Sequence, residues 1–513
     1  MKHVIVTVAD FVRAKCLCFV LLLSVASSLI AQSRPITTVT SKPDFSKTRK
    51  LIQDRMVAES IPSLSVAVAR RGETLWEEGF GWADRENRIP ATEHTLYYLA
   101  SVTKSITATA VMMLHEQKRL DLDRPINDYL GSARVSSPLW NPTGATVRRV
   151  ATHIAGLTTF AQNRYGVAPD YRISPDQTIQ RYGILFWPPG DHFDYSNLGY
   201  GILGEVVARV SGKDYADFLR DEIFWPLGMT HASLGIGPGF EKYAAKRYNT
   251  DFGLRPWAVS GTPGASAVYC SAHDLARFGM FHLKAHLPNQ KALLSDAAID
   301  AMQNSTVDVG DGGRYGLGWW IKEDLFGYRG ALAQGGTNEA SAYLQLIPSE
   351  GIVVVALSNT GTVLPDAVIQ EVLSTLLPSY REKRAAARGN EQRQRPKPNP
   401  PSPSLVGNWT GMVSTYRESL PLTLSIAESG EVQAKLGSQL RTLLNDARFE
   451  KDRLTGLMWG NLGTEEDTGP DPYDLDLELY LRGGALNGAV TTRPHPGARH
   501  FTRLCYWVEL KRT

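Results

Sequence analysis

Residues 381–403 read "REKRAAARGNEQRQRPKPNPPSP", a stretch with no apolar side chain larger than alanine apart from its prolines. Such a segment has nothing to bury, so no core runs through it. It is read as a linker, helical at its start and extended at its end. A chain of 513 residues therefore divides into 34–380 and 404–513, after an N-terminal segment considered below. With 43% hydrophobic and 21% charged residues there is apolar material for a core on each side.

The second part reads as all-β. "DLDLELYLRGGALNGAV" places Leu475, Leu477, Leu479 and Leu481 on one face of a strand that turns at Gly483-Gly484. "GNWTGMV", "LPLTLSI" and "HFTRLCYWVEL" are further strand candidates, so residues 404–513 are expected to form a small barrel-like or sandwich domain. Trp409, Trp459 and Trp507 are assigned to its core in preference to a ligand surface.

The N-terminus carries Lys2, Arg13 and Lys15 ahead of "CLCFVLLLSVASSLIA", an apolar run short for a spanning helix, with Ala31 and Ser33 as small residues at its end. Residues 1–33 are read as an export signal, which places the mature chain in the periplasm or outside the cell, with no stable membrane insertion after cleavage. Cys16 and Cys18 leave with that signal, and Cys270 and Cys505 are expected to be buried free thiols. No HExxH or CxxC pattern is present, no metal or organic cofactor is expected, and His282 and His286 are read as helix surface. The net charge of +3 is spread along the chain apart from a basic patch near 381–397, which gives no nucleic-acid-binding surface.

In 34–380, "DFSKTRKLIQDRMVAES" has helical periodicity and "SLSVAVARRGETLWEEGFG" reads as two strands turning at Arg71-Gly72. "SAYLQLI" and "GIVVVALSN" flank "PSEG" as a buried hairpin. The expected fold is α/β (α+β): an antiparallel sheet flanked by helices, with a helical region inserted around 120–260.

Within "LASVTKSITATAVMML", Ser101 and Lys104 stand three apart, on one face of a helix. A lysine among these apolar neighbours loses hydration, which lowers its pKa and makes the neutral amine accessible. A neutral amine beside a serine hydroxyl can take its proton and create a nucleophile. The structural alternative is a lysine reaching out to solvent and a serine capping the helix. This is the only S-x-x-K in the chain, and no G-x-S-x-G offers a competing serine. In "FDYSNLGYGILGEVVARVSG", Tyr195 is a candidate proton relay and Asn197 a candidate partner of Lys104 and substrate; an ordinary tyrosine before an asparagine cap is the alternative.

Together with "ATHIAGL", "IFWPLGMTHAS", "YCSAHDLARFGMF" and "YGLGWW", in that order over roughly 45–376, these motifs resemble the serine β-lactamase and penicillin-binding protein superfamily, in its class C β-lactamase-like branch. The resemblance implies Ser101 as nucleophile, Lys104 as its general base, Tyr195 as the catalytic tyrosine and Asn197 as a substrate-positioning residue. The family's third motif has lysine or histidine, a small residue and glycine; here it is Gln334-Gly335-Gly336. Gln334 and Gly336 are then substrate-binding positions, and Thr337 supplies an oxyanion N–H beside that of Ser101. A glutamine lacks the charge that strengthens a bond to a substrate carboxylate, which disfavours efficient β-lactam or peptidoglycan turnover. The implied function is hydrolysis of a small ester or amide, peptidoglycan-derived substrates included. The alternatives are a covalent β-lactam-binding sensor with slow deacylation and a D-amino-acid-specific peptidase. Every catalytic candidate precedes the linker, so removing residues 404–513 is expected to leave a folded and at least partly active hydrolase.

Overall fold

The run Ile352–Ser358, "IVVVALS", is buried at every position. A strand that is apolar throughout must be covered on both faces, and this one is. Ser46–Ala58 and Leu364–Leu376 lie on one side of the sheet, around a core that includes Ile52, Leu64, Val354 and Val368. Thr103–Glu116 and Ala272–His282 lie on the other, with Val111, Leu275 and Val355. Ile352–Ser358 pairs antiparallel with Ser63–Arg70 and Ala340–Ile347, at the centre of a nine-stranded sheet. Ser63–Arg70 and Glu73–Asp84 form the expected hairpin, and Ala340–Ile347 with Ile352–Ser358 the second one.

This computed structural model describes residues 42–166, 173–387, 399–468, 473–495 and 501–513, apart from positions 238, 252 and 311. Residues 1–33, expected to be an export signal, and residues 388–398 of the linker lie outside the described residues; 381–387 continue the helix Pro378–Ala387. Asp44–Thr513 forms one compact unit. Among the described residues no helix is long and apolar enough to cross a membrane.

The C-terminal residues form a second nine-stranded antiparallel sheet that curls into a nearly closed barrel. Leu475, Leu477 and Leu479 are fully buried inside it, and Gly483 and Gly484 take the left-handed backbone that the tight turn needs. Trp409 and Trp507 are buried, but Trp459 is 61% exposed and is not core. Trp507 packs on Trp140 and Phe186 of the first part, not only on its own sheet.

Two further expectations change. His282 is not on a helix surface: it closes the Ala272 helix, is 1% exposed, and its Nε2 lies 3.0 Å from Thr109 Oγ1. His286, past the end of that helix, is exposed beside Asp296. The inserted region is helical at Val147–Ala151, Pro175–Tyr182 and Asn197–Ser211, yet it also holds short strands. One of them, Ala161–Tyr165, pairs with Ala258–Ser260 on one side and with Phe501–Arg503 on the other. Cys270 and Cys505 are both free and buried, as expected.

Candidate active site

Ser101 sits in a 3-10 turn, Ala100–Val102, which runs directly into the helix Thr103–Glu116. Ala100 has φ of +44°, a conformation costly for a residue with a Cβ, and it is buried and held by its neighbours. This turn presents Ser101 half-exposed while placing Lys104, one turn on, at 1% exposure.

The Lys104 amine has three partners. Its Nζ lies 3.0 Å from Ser101 Oγ, 2.7 Å from Asn197 Oδ1 and 3.0 Å from the Ala265 carbonyl. Burial holds its ammonium well below the usual amine range. The geometry then fixes what the neutral amine does. Asn197 Oδ1 and the Ala265 carbonyl only accept, so they take the two remaining protons. The lone pair is left for Ser101, the one partner with a proton to give.

Asn197 is not the cap of its helix. Ser196 is, its Oγ accepting from Gly199 N at 3.0 Å. The Asn197 side chain is thereby free for other bonds, and its Nδ2 donates to the Phe160 carbonyl at 2.9 Å while Oδ1 faces Lys104. Both ends of the amide are engaged within the protein. The structure thus brings Asn197 to Lys104 but not to the open pocket.

Tyr195 lies with its ring 4.8 Å from Lys104 Nζ and stacks on Trp320 at 5.9 Å. Burial raises its hydroxyl pKa, while the neighbouring Ser101 side chain pulls the other way. Tyr195 is therefore a neutral phenol that can pass a proton on. Behind it stands His153, buried, with φ of +61° and its ring 4.4 Å from that of Tyr195. Its Nδ1 accepts from Ser196 N at 3.0 Å, which holds the Tyr195-Ser196-Asn197 corner in place. Burial first, and second Lys104 whenever it carries a proton, keep this imidazole neutral.

The strand Gly330–Thr337 pairs with Ala340–Ile347 along its length, but its other neighbour, Trp320–Lys322, stops opposite Leu332. The edge from Ala333 onward lies against the Ser101 turn. A Cβ on Gly335 would stand 2.6 Å from Ser101 N and closer still to the Leu99 carbonyl. Only glycine permits this approach. Gln334, Gly335 and Gly336 line a pocket of about 380 Å³ together with Ser101, Tyr195, Trp320, Ser341 and Tyr343. Thr337 ends the strand opposite Ala340 and is not among the lining residues. Among the described residues, no lysine or arginine lines this pocket.

The sequence pointed to Ser101, Lys104, Tyr195 and the glycine strand, which the structure brings together, but gave no role to His153, Trp320, or the Phe160 and Ala265 carbonyls. His153 stood in a quoted motif without an assigned task. The carbonyls leave no signal in side-chain identity.

A family model described as Beta-lactamase matches residues 48–377. The chain is 25% identical over 311 residues to "Putative penicillin-binding protein PbpX" of Bacillus subtilis (strain 168), covering 59% of this chain and 74% of that protein. It is 23% identical over 353 residues to "Protein flp" of Staphylococcus aureus (strain N315), covering 67% and 69%. An octameric penicillin-binding protein homologue from Pyrococcus abyssi has the same fold over 90% of this chain and 100% of its own, at TM-score 0.57 and 21% identity. A class C beta-lactamase matches 68% of this chain and 97% of its own at TM-score 0.54 and 21% identity. With its family-model match running across the sheet, the Ser101 turn and the glycine strand, this chain belongs to the beta-lactamase family of serine hydrolases.

Proposed function

We propose that the protein hydrolyses a small, uncharged ester or amide through an acyl-enzyme on Ser101. The observation that carries this reading is the Lys104 amine, 1% exposed and 3.0 Å from Ser101 Oγ, with its other two bonds on groups that only accept.

In the acylation step Ser101 Oγ attacks the substrate carbonyl carbon as its proton passes to Lys104 Nζ. Negative charge develops on the carbonyl oxygen, which the N–H groups of Ser101 and Thr337 are proposed to receive. The proton then travels from Lys104 by way of the Tyr195 hydroxyl to the leaving group, and the tetrahedral intermediate collapses to the ester of Ser101. For deacylation the same pair works in reverse, drawing a proton from water as it attacks the acyl carbon. Lys104 and not Tyr195 is the primary base, because burial disfavours a phenolate next to Trp320 and His153.

Substrate preference is argued from the lining. Gln334 offers an amide where a cation would read a carboxylate, and the aromatic rings of Tyr195, Trp320 and Tyr343 suit an apolar acyl group. Export to the periplasm or the exterior is part of the same proposal and rests on residues 1–33.

The test is labelling with a fluorophosphonate, followed by hydrolysis of p-nitrophenyl esters. Wild-type protein is expected to label at Ser101 and to turn over neutral esters, and Ser101→Ala to do neither while keeping its fold. Labelling of the Ser101→Ala variant at a comparable rate would remove Ser101 as nucleophile.

A further inference from the structure

Asp467 lies on the short helix Glu465–Thr468 of the C-terminal barrel and is 5% exposed. Its carboxylate reaches across to the other part of the chain, besides the barrel's own Tyr416. It accepts from Gln162 Nε2 at 3.0 Å, Arg181 Nη1 at 2.8 Å and the Tyr182 hydroxyl at 2.6 Å, with Arg164 Nη2 at 4.0 Å.

The barrel grips the same segment at other points. Phe501–Arg503 adds a strand to Ala161–Tyr165, the Cys505 thiol donates to the Thr159 carbonyl at 2.6 Å, and Arg164 donates to the Glu466 carbonyl. Residues 159–165 are thus held from the barrel side, through backbone and side chains alike.

From its other side this segment reaches the candidate active site. The Phe160 carbonyl accepts from Asn197 Nδ2 at 2.9 Å, and Asn197 Oδ1 accepts from Lys104 at 2.7 Å. The Phe160 ring packs at 5.0 Å on Tyr182, itself bonded to Asp467. The amide of Asn197 has two orientations, and the Phe160 carbonyl selects one. If that carbonyl withdrew, the amide could turn its NH2 toward Lys104 and donate to the lone pair of the neutral amine. Lys104 would then lose an acceptor for one of its protons, and its lone pair would no longer be aimed at Ser101.

We propose that Asp467 is a positioning residue of the active site: the barrel holds the 159–165 segment, and through it the Asn197 amide, in the orientation that fixes the Lys104 amine. This rests on the reading of Ser101 and Lys104 as the catalytic pair. A buried ion pair is by itself weak evidence for stability, whereas a contiguous chain of bonds from one element to another is what transmits a positional constraint.

The test is a double-mutant cycle in the full-length protein, read as kcat and KM for a p-nitrophenyl ester, with melting temperatures alongside. Asp467→Asn is expected to lower kcat about tenfold with KM changed less than about twofold, as a coupling of this kind allows. Asn197→Ala alone is expected to cost about a hundredfold, a loss in the range for general-base catalysis. If Asp467 acts through Asn197, the double variant matches Asn197→Ala within about twofold. Multiplying effects, or a lowered melting temperature with unchanged kcat, would overturn the proposal and leave Asp467 a structural residue. Should Asp467→Asn not fold, the cycle is run with Gln162→Met, which removes one bond to the same carboxylate, and the same two outcomes decide. Wild-type protein that neither labels at Ser101 nor hydrolyses esters would sink the catalytic reading and this one with it. Labelling at Ser101 with a multiplicative cycle would sink this one alone.

Discussion

Gly335 is the place where the sheet and the nucleophile turn come closest, so Gly335→Ala tests the active-site geometry most directly. The new methyl carbon would stand 2.6 Å from Ser101 N and nearer still to the Leu99 carbonyl, and both obstacles are backbone. Ordinary contact needs about 3.5 Å, so the strand and the turn must part by on the order of 1 Å. A misplacement of that size costs roughly a hundredfold in rate, and losing one oxyanion donor costs about as much or ten times more. Overpacking adds about 1–3 kcal/mol of lost stability. The assay is kcat for a neutral p-nitrophenyl ester and the rate of fluorophosphonate labelling, with the melting temperature measured on the same sample. Gly336→Ala is the comparison for stability alone, because its methyl would meet nothing nearer than the Ala340 carbonyl at 3.9 Å. A folded Gly335→Ala protein with kcat within about threefold of wild type would refute the reasoning. It would mean that this strand does not help to bind the developing oxyanion.

Lys104→Arg is expected to be nearly as inactive as Lys104→Ala, about 100- to 10,000-fold below wild type, because guanidinium cannot give up a proton near neutral pH; retained ester hydrolysis would make Lys104 a structural residue. Wild-type activity itself should fall as pH drops through the depressed Lys104 pKa and its amine becomes protonated, an acid limb visible in the pH profile of kcat/KM. Gln334→Lys is expected to raise kcat/KM for a carboxylate-bearing β-lactam by about ten- to a hundredfold and to leave a neutral ester nearly unchanged, while equal effects on both would place Gln334 away from a carboxylate site. Asp194, whose Oδ2 accepts from Trp187 Nε1 at 2.7 Å, is pushed up by burial to about 6 from 3.8. Between those values the folded state binds more protons than the unfolded one, so this group lowers stability as pH rises through that window, by about 3 kcal/mol at most. Asp194→Asn should accordingly raise the melting temperature at pH 7 and hardly change it at pH 3; equal shifts at both would assign the gain to something other than this charge.

The order of legibility follows the order of chain separation. Ser101 and Lys104 are neighbours on one turn, so their shared direction could be read from spacing alone, and the buried hairpin Ala340–Ser358 announced itself through two largely apolar runs flanking "PSEG". Alternation likewise marked Leu475, Leu477 and Leu479 as barrel interior. Asn197 was legible as a partner for Lys104 only through its motif, and its second bond, to a backbone carbonyl, could not be foreseen because Phe160 O carries no residue identity. Ala161–Tyr165 was the hardest case. "AQNRY" is polar and does not alternate, and the strand is held by two distant partners, Ala258–Ser260 and, more than three hundred residues later, Phe501–Arg503.

That last pairing bears on the expectation that a chain lacking residues 404–513 stays folded and at least partly active. The expectation followed from counting where catalytic side chains lie, and by that count the barrel contributes none. The count leaves out what holds those side chains. Asp467 is the acceptor for groups on two separate elements of the first part, Gln162 on the strand and Arg181 with Tyr182 on the helix Pro175–Tyr182. Removing it would leave the buried Gln162 amide and Tyr182 phenol, and the half-buried Arg181 guanidinium, without the carboxylate they donate to. Residues 159–165 would lose an edge strand at the same time, next to the carbonyl that orients Asn197. A linker without apolar side chains separates two stretches of sequence, but here it does not separate two independent pieces of the site. The barrel's part in the chemistry is to supply the fixed side against which the Lys104 amine is aimed.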